Sequence, residues 1–208
     1  MQWSHYKELI HIKNDDEIKY YINIALNNNL SVRELRARIK NNDYKRLDDK
    51  TKLKLIKNDK GERVEDFIKD PILIRNKYNT NDISEKVLQQ LMLEDIESFM
   101  NELGNNYSFV GSEYKIKIGN RYNYIDLLLY NIDFNCYIVV ELKVTELKKE
   151  HIGQIEIYMN YIDDNLKKIT QDKTVGIIIC KKDNKFIMEY CSDERILSRK
   201  YKLIDKIC

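Results

Sequence analysis

Residues 122–145, YNYIDLLLYNIDFNCYIVVELKVT, decide how this chain is read. Tyr122–Tyr130 has the aromatic and aliphatic composition of a β-strand, and Cys136–Thr145 contains YIVVELKV, an apolar run typical of a strand covered on both faces. Immediately upstream, Glu113–Ile118 alternates polar and apolar residues strictly and Gly119-Asn120 supplies a turn. The first two strands therefore make a hairpin, and the third belongs at the centre of a sheet.

Three ionisable groups interrupt these strands. Asp126 stands in YIDLLLY, and Glu141 and Lys143 stand in VVELKV, where the surrounding residues read as core. Side chains alternate with period two along a strand, so Glu141 and Lys143 share a face and Leu142 points into the opposite layer. Two carboxylates from adjacent strands can hold a hard divalent cation, which acidifies water and polarises a phosphoryl oxygen. A neighbouring ammonium can position that water or offset charge developing on the phosphate. That combination suits phosphodiester hydrolysis; a structural ion pair among the same residues is the other reading that their placement allows.

The flanking segments complete an α/β order. Asp82–Gly104 predicts one long helix with Leu88, Leu91, Met92, Ile96, Phe99 and Leu103 as its apolar stripe and Glu94 off that stripe. A second helix, from about Lys149 to Leu166, carries Ile152, Ile155, Met159, Ile162 and Leu166 on one side, with Gln154 and Tyr158 four residues apart on one flank. Thr174–Cys180 reads as another buried strand and Phe186–Tyr190 as an added edge.

The first sixty residues read instead as short helices. Asp15 and Asp16 open one that Asn27-Asn28-Asn29 stops, and Ser31-Val32-Arg33-Glu34 has capping-box form before a helix with Val32, Leu35 and Ile39 on one face. Of the 36 Lys and Arg, 14 fall in residues 1–60 against 9 Asp and Glu, and the remaining 22 face 25 acidic residues in 61–208. Arg33, Arg36 and Arg38 lie in the most basic part, residues 31–60, where they are candidates for nucleic-acid phosphates in a helix-turn-helix-like module; a plain helical hairpin with a solvated basic face has the same pattern. Residues 41–80 are polar, hold the single Pro71, and give the expected boundary between a basic helical segment over 1–70 and a second domain over 80–208.

Composition narrows the class further. A 34% charged fraction and the absence of an apolar run of about 18 residues exclude a transmembrane helix. MQWSHYKELIHIKNDD lacks the apolar stretch of a signal peptide, so the expected compartment is the cytoplasm and no membrane partner is expected. Cys136, Cys180, Cys191 and Cys208 have neither CxxC spacing nor a nearby His, and read as reduced structural thiols.

Asp126, fourteen residues, then Glu141-Leu142-Lys143 within helix, three strands, helix and strand resembles the PD-(D/E)XK nuclease superfamily. FVGSEYKIKIG, YIDLLLY, YIVVELK, the helix with Gly153-Gln154 and Tyr158, and TVGIIIC resemble its YhcG-like branch over roughly residues 83–190, while QWSHYKELI and LSVRELRARI resemble part of the helical domain that precedes the nuclease domain there. The resemblance implies a restriction-endonuclease-like core, a mixed central sheet flanked by helices, behind a small helical segment. It makes Asp126 and Glu141 metal ligands, joined by the Leu142 carbonyl, makes Lys143 the catalytic lysine, assigns Glu94 as the acidic residue of the first core helix, and brings Gln154 and Tyr158 near metal and phosphate. Glu156 departs from that branch, which more often carries a neutral amide there. The implied activity is Mg2+- or Mn2+-dependent hydrolysis of nucleic acid, DNA before RNA, by an endonuclease, and a homodimer is compatible with it. A non-catalytic nucleic-acid-binding or assembly module retaining the fold is the rival.

Overall fold

The structure is a computed structural model that describes residues 1–57, 63–78, 82–104 and 106–205, and it divides into two compact units, Met1–Lys69 and Asp70–Cys208. In the first, α1 (Trp3–Leu9), α2 (Asp15–Asn27), α3 (Val32–Lys40) and α4 (Asp49–Lys57) follow one another. The caps explain the boundaries. Asn14 accepts from the amides of Asp16 and Glu17 to start α2, Asn29 takes a positive φ of 49° after α2, and the Ser31/Glu34 box starts α3. Leu9, Tyr21, Ala25, Leu35, Tyr44 and Leu47 form this unit's core.

The second unit is built on a six-stranded sheet. Its elements are β1 (Ile72–Asn76), α5 (Glu85–Glu94), α6 (Ile96–Leu103), β2 (Tyr107–Ile118), β3 (Arg121–Asn131), β4 (Cys136–Glu146), α7 (Lys149–Asn165), β5 (Val175–Lys182), α8 (Lys185–Glu189) and β6 (Ile196–Asp205). The strand order is β1-β6-β5-β4-β3-β2. β1, β6, β5 and β4 run parallel to their neighbours, and β2, β3 and β4 form an antiparallel meander. The expected fold class, a mixed sheet flanked by helices behind a helical segment, is what the chain forms.

α7 packs against β4, β5 and β6, sharing a core with Val139, Ile178 and Cys180, whereas α5 and α6 pack against β1 and β4. Gly176 is what lets α7 come close: a Cβ there would stand 2.5 Å from Met159 Sδ and 2.9 Å from Ile155 Cδ1. Ile138, Val140, Leu142, Ile177 and Ile179 are fully buried, as strands covered on both faces require.

Two sequence expectations are corrected, and two strands lie outside them. The helix expected over Asp82–Gly104 is two helices, because Asp95 leaves helical geometry and its carboxylate caps α6 at the Ser98 amide. Phe186–Tyr190, expected as an edge strand, lies mostly in α8, which Asn184 caps at the Ile187 amide. β6 was not anticipated. β1 lies within the polar stretch 41–80, and the second compact unit runs from Asp70. Cys136 and Cys180 are buried free thiols and Cys191 a partly buried one; Cys208 lies outside the described residues. No helix among the described residues is long and apolar enough to cross a membrane.

Candidate active site

The site is a notch where β3 and β4 part. The two strands pair from Leu127/Val140 to Asn131/Cys136 and no further, while β4 continues beside β5 through Glu141/Ile178, Leu142/Ile179 and Lys143/Cys180. Asp126, the residue just past the last pair, turns its side chain into the gap: Oδ2 accepts from the Leu142 amide at 2.7 Å. The carboxylate thus replaces a backbone acceptor that a continuous ladder would have supplied. A strand residue's N–H and C=O point to the same side, so the Leu142 carbonyl also opens toward the notch.

Glu141 is buried beside it. Its Oε2 accepts from Lys143 Nζ at 3.3 Å, and among the described residues nothing hydrogen-bonds to its buried Oε1. Burial first, and the neighbouring Asp126 second, push the Glu141 carboxyl up to about 8, against the opposing pull of Lys143. Asp126 is also raised, chiefly by burial, although the Leu142 amide and Lys143 favour its charged form. The notch therefore sets two carboxylates against one cation, and burial together with this surplus of acidic groups keeps the Glu141 carboxyl protonated into the neutral range. A divalent cation fits this surplus, since it would give the orphaned oxygen a partner and favour both ionised carboxylates. Among the described residues no group of three or more His, Cys, Asp and Glu converges as a metal cage. The available donors are two carboxylates and a carbonyl, a small set of the kind that leaves Mg2+ room for water and phosphate.

α7 brings two more expected residues to the same place. Gln154 Nε2 donates to Tyr158 Oη at 3.1 Å, and burial raises the Tyr158 phenol, with Glu141 and Asp126 adding to the rise. A single helical turn separates the pair, which puts an amide and a hydroxyl on the flank facing β4.

Glu94 does not join them. Its Oε1 accepts from Lys77 Nζ at 2.5 Å and from Gln90 Nε2 at 3.0 Å, near the far end of α5. The acidic residue of that helix that reaches the site is Glu85, whose Oε2 lies 3.9 Å from Lys143 Nζ. Nine residues of helix separate the two glutamates, about 13.5 Å along the axis, and only the N-terminal end of α5 meets the notch. Sequence reasoning also missed Gln89, which donates to the Asp126 carbonyl at 2.8 Å and ties α5 to β3 behind the carboxylate. It missed His151 too, whose imidazole burial lowers, with Lys143 adding to the effect. A signal for Glu85 exists in Ser84, the N-cap that fixes which end of α5 begins there.

The candidate phosphate-binding arginines occupy unlike settings. Arg33 and Arg36 are exposed, with Arg36 held bidentately by Glu8 at 3.0 and 2.7 Å. Arg38 is turned inward and lies 3.5 Å from the buried Asp43. Of the three candidates for nucleic-acid contact, two are thus exposed and one is engaged with the core.

Comparison with known proteins places this geometry in context. A family model described as the YhcG PDDEXK nuclease domain matches residues 65–206, and one described as the DUF1016 N-terminal domain matches residues 1–46. A relative from Escherichia coli (strain K12), "Putative nuclease YhcG", is 25% identical over 189 residues, covering 85% of this chain and 48% of its own length. The chain thus spans about half of that relative. Among solved structures, a repair endonuclease from Pyrococcus abyssi aligns with a TM-score of 0.41 and 17% identity over 59% of this chain and 49% of its own. An EndoMS–dsDNA complex aligns with a TM-score of 0.44 and 19% identity over 60% and 48%.

Proposed function

The chain belongs to the YhcG PDDEXK nuclease-domain family, and from that premise we propose that the notch hydrolyses nucleic-acid phosphodiesters, DNA before RNA, with Mg2+ or Mn2+. The observation that carries the reading is the buried Glu141 Oε1, without a hydrogen-bond partner among the described residues, next to the Asp126 carboxylate. Asp126, Glu141 and the Leu142 carbonyl would hold the cation. A divalent ion there supplies Lewis acidity to a phosphate oxygen and lowers the pKa of water.

The chain's own groups do the rest. Lys143, held at 3.3 Å from Glu141, keeps a compact positive charge at the mouth of the notch, where charge accumulates on the phosphate in the transition state. Gln154 and Tyr158 offer a donor amide and a hydroxyl that orient the strand. The Leu142 amide fixes Asp126, and Gln89 fixes its backbone, so the carboxylate needs little reorganisation. Arg33 and Arg36 supply sequence-independent phosphate contacts.

Supercoiled, linear and single-stranded DNA and RNA, incubated with and without Mg2+ or Mn2+, test the reading. Divalent-dependent cleavage by the parent protein that disappears in both Asp126→Ala and Glu141→Ala, together with the stabilisation that the ion gives the native state, is the expected result. Unchanged ion affinity in both variants removes the metal assignment, and binding without turnover in the parent favours the assembly-module alternative.

A further inference from the structure

Beyond the last β3/β4 pair at Leu127/Val140, β3 continues with β2 alone, as a two-stranded ribbon from Tyr114/Ile125 to Ile118/Arg121. Its two faces differ. Ile116 and Ile125 are buried, and Tyr114 and Ile118 pack beside them in the core shared with α7, which pins the ribbon in place. The register sets Lys115 opposite Tyr124 and Lys117 opposite Tyr122, so all four side chains stand on the outer face. Tyr122 is 56% and Tyr124 52% exposed, and Lys115 Nζ sits 3.9 Å from the centroid of the Tyr122 ring. Arg121, opposite Ile118 beside the Gly119-Asn120 turn, belongs to the other face. The β3 strand of the ribbon runs from Tyr122 and Tyr124 directly to Asp126, whose side chain enters the notch, so the ribbon leads to the site.

We infer that this ribbon holds a single-stranded stretch of the nucleic acid, its bases stacked on Tyr122 and Tyr124 and its phosphates on Lys115 and Lys117, and leads it to the Asp126/Glu141 notch. The inference rests on the nuclease reading and deepens it. Aromatic rings flanked by cations on a rigid surface suit a strand whose bases are unstacked, since every base has a face to offer and every phosphate a charge. A paired duplex leaves no base face free for these rings.

The test is fluorescence anisotropy of the full chain with a labelled oligo-dT, the corresponding oligo-U and a duplex of equal length, in EDTA so that no cleavage intrudes. Tyr122→Ala with Tyr124→Ala should weaken single-strand binding by about 10-fold or more per ring and duplex binding much less. Tyr122→Phe with Tyr124→Phe, which keeps the rings, should bind as the parent does. Lys115→Ala with Lys117→Ala should flatten the salt dependence by about 0.7 per lost contact. Single-strand affinity and salt slope equal to the parent's in both alanine pairs overturn the inference, as does equal loss on duplex and single strand, or a parent that holds no single strand. Cleavage is scored separately. A parent that never cuts while the alanine pairs lose strand binding refutes the nuclease reading and leaves the ribbon assignment standing; a parent that cuts, with alanine pairs that bind and cut equally well, does the reverse.

Discussion

Two carboxylates, one in each unit, are buried to the same degree in opposite electrostatic settings. The Asp43 side chain is 2% exposed and meets three cations: Arg46 at 2.9 Å, Lys69 at 3.1 Å and Arg38 at 3.5 Å. The Glu141 side chain is also 2% exposed, yet it meets one ammonium and a second carboxylate, and its Oε1 has no hydrogen-bond partner among the described residues. Burial itself does not mark a functional charge. Asp43, whose partners more than offset it, fits a structural role, and Glu141, left in deficit, fits the ligand-binding role proposed above.

The sharpest way to break this contrast is to remove each carboxylate. Asp43→Ala removes the carboxylate that Arg38, Arg46 and Lys69 share and should cost about 3–5 kcal/mol in urea unfolding, since breaking a buried pair leaves charge less well compensated. Glu141→Gln should leave the metal-free protein as stable as the parent or more so, because a repulsion is relieved. Equal losses in the two variants would mean that Glu141 is structural.

Lys143 sharpens the functional side. Lys143→Ala should lower single-turnover cleavage at saturating Mg2+ on the order of 10²-fold while ion affinity holds or rises. Lys143→Arg should rescue poorly, because a planar guanidinium does not reproduce a compact ammonium at that point. Parent-like rates in Lys143→Ala would reduce Lys143 to a partner of Glu141.

The pH dependence follows from the raised Glu141 carboxyl. The folded protein keeps a proton that the unfolded chain releases in the ordinary glutamate range, so stability is greatest on the acid side and falls as pH rises toward about 8. The slope from this group is at most about 1.4 kcal/mol per pH unit. Urea midpoints across that window should decline in the parent and flatten in Glu141→Gln; a parent curve that rises through it would contradict the sign.

Smaller effects are expected away from the carboxylates. Gly176→Ala pushes against Met159 and Ile155 and should cost about 1 kcal/mol or somewhat more. Because it shifts α7, it should also slow cleavage through Tyr158, which a thermal melt paired with a rate measurement would separate from mere loss of fold. Neutralising Arg33 and Arg36 should flatten the salt dependence of nucleic-acid binding by up to about 0.9 per contact, whereas Arg38→Ala should lower stability instead, through Asp43. A salt slope unchanged by losing Arg33 and Arg36 would show their face to be merely solvated.

What the sequence by itself determined is what nearest neighbours along the chain determine. Alternation in Glu113–Ile118, the apolar run around Glu141, the α7 stripe and the Ser31/Glu34 cap are each set within a few residues, and each formed as read. Asp126, Glu141 and Lys143 were legible for the same reason, being charges where the local pattern demands apolar residues. The tertiary structure alone decided the rest. β1 has only Ile72, Leu73 and Ile74 to announce it, and it becomes a strand because β6, from the far end of the chain, pairs with it. The choice of Glu85 over Glu94 depends on which end of α5 abuts the notch, and the break at Asp95 on a cap whose alternative was a continuous helix. The notch itself exists because β3 stops pairing with β4 one residue before Asp126. Strand separation is a property of two segments at once, and no pattern within either one records it.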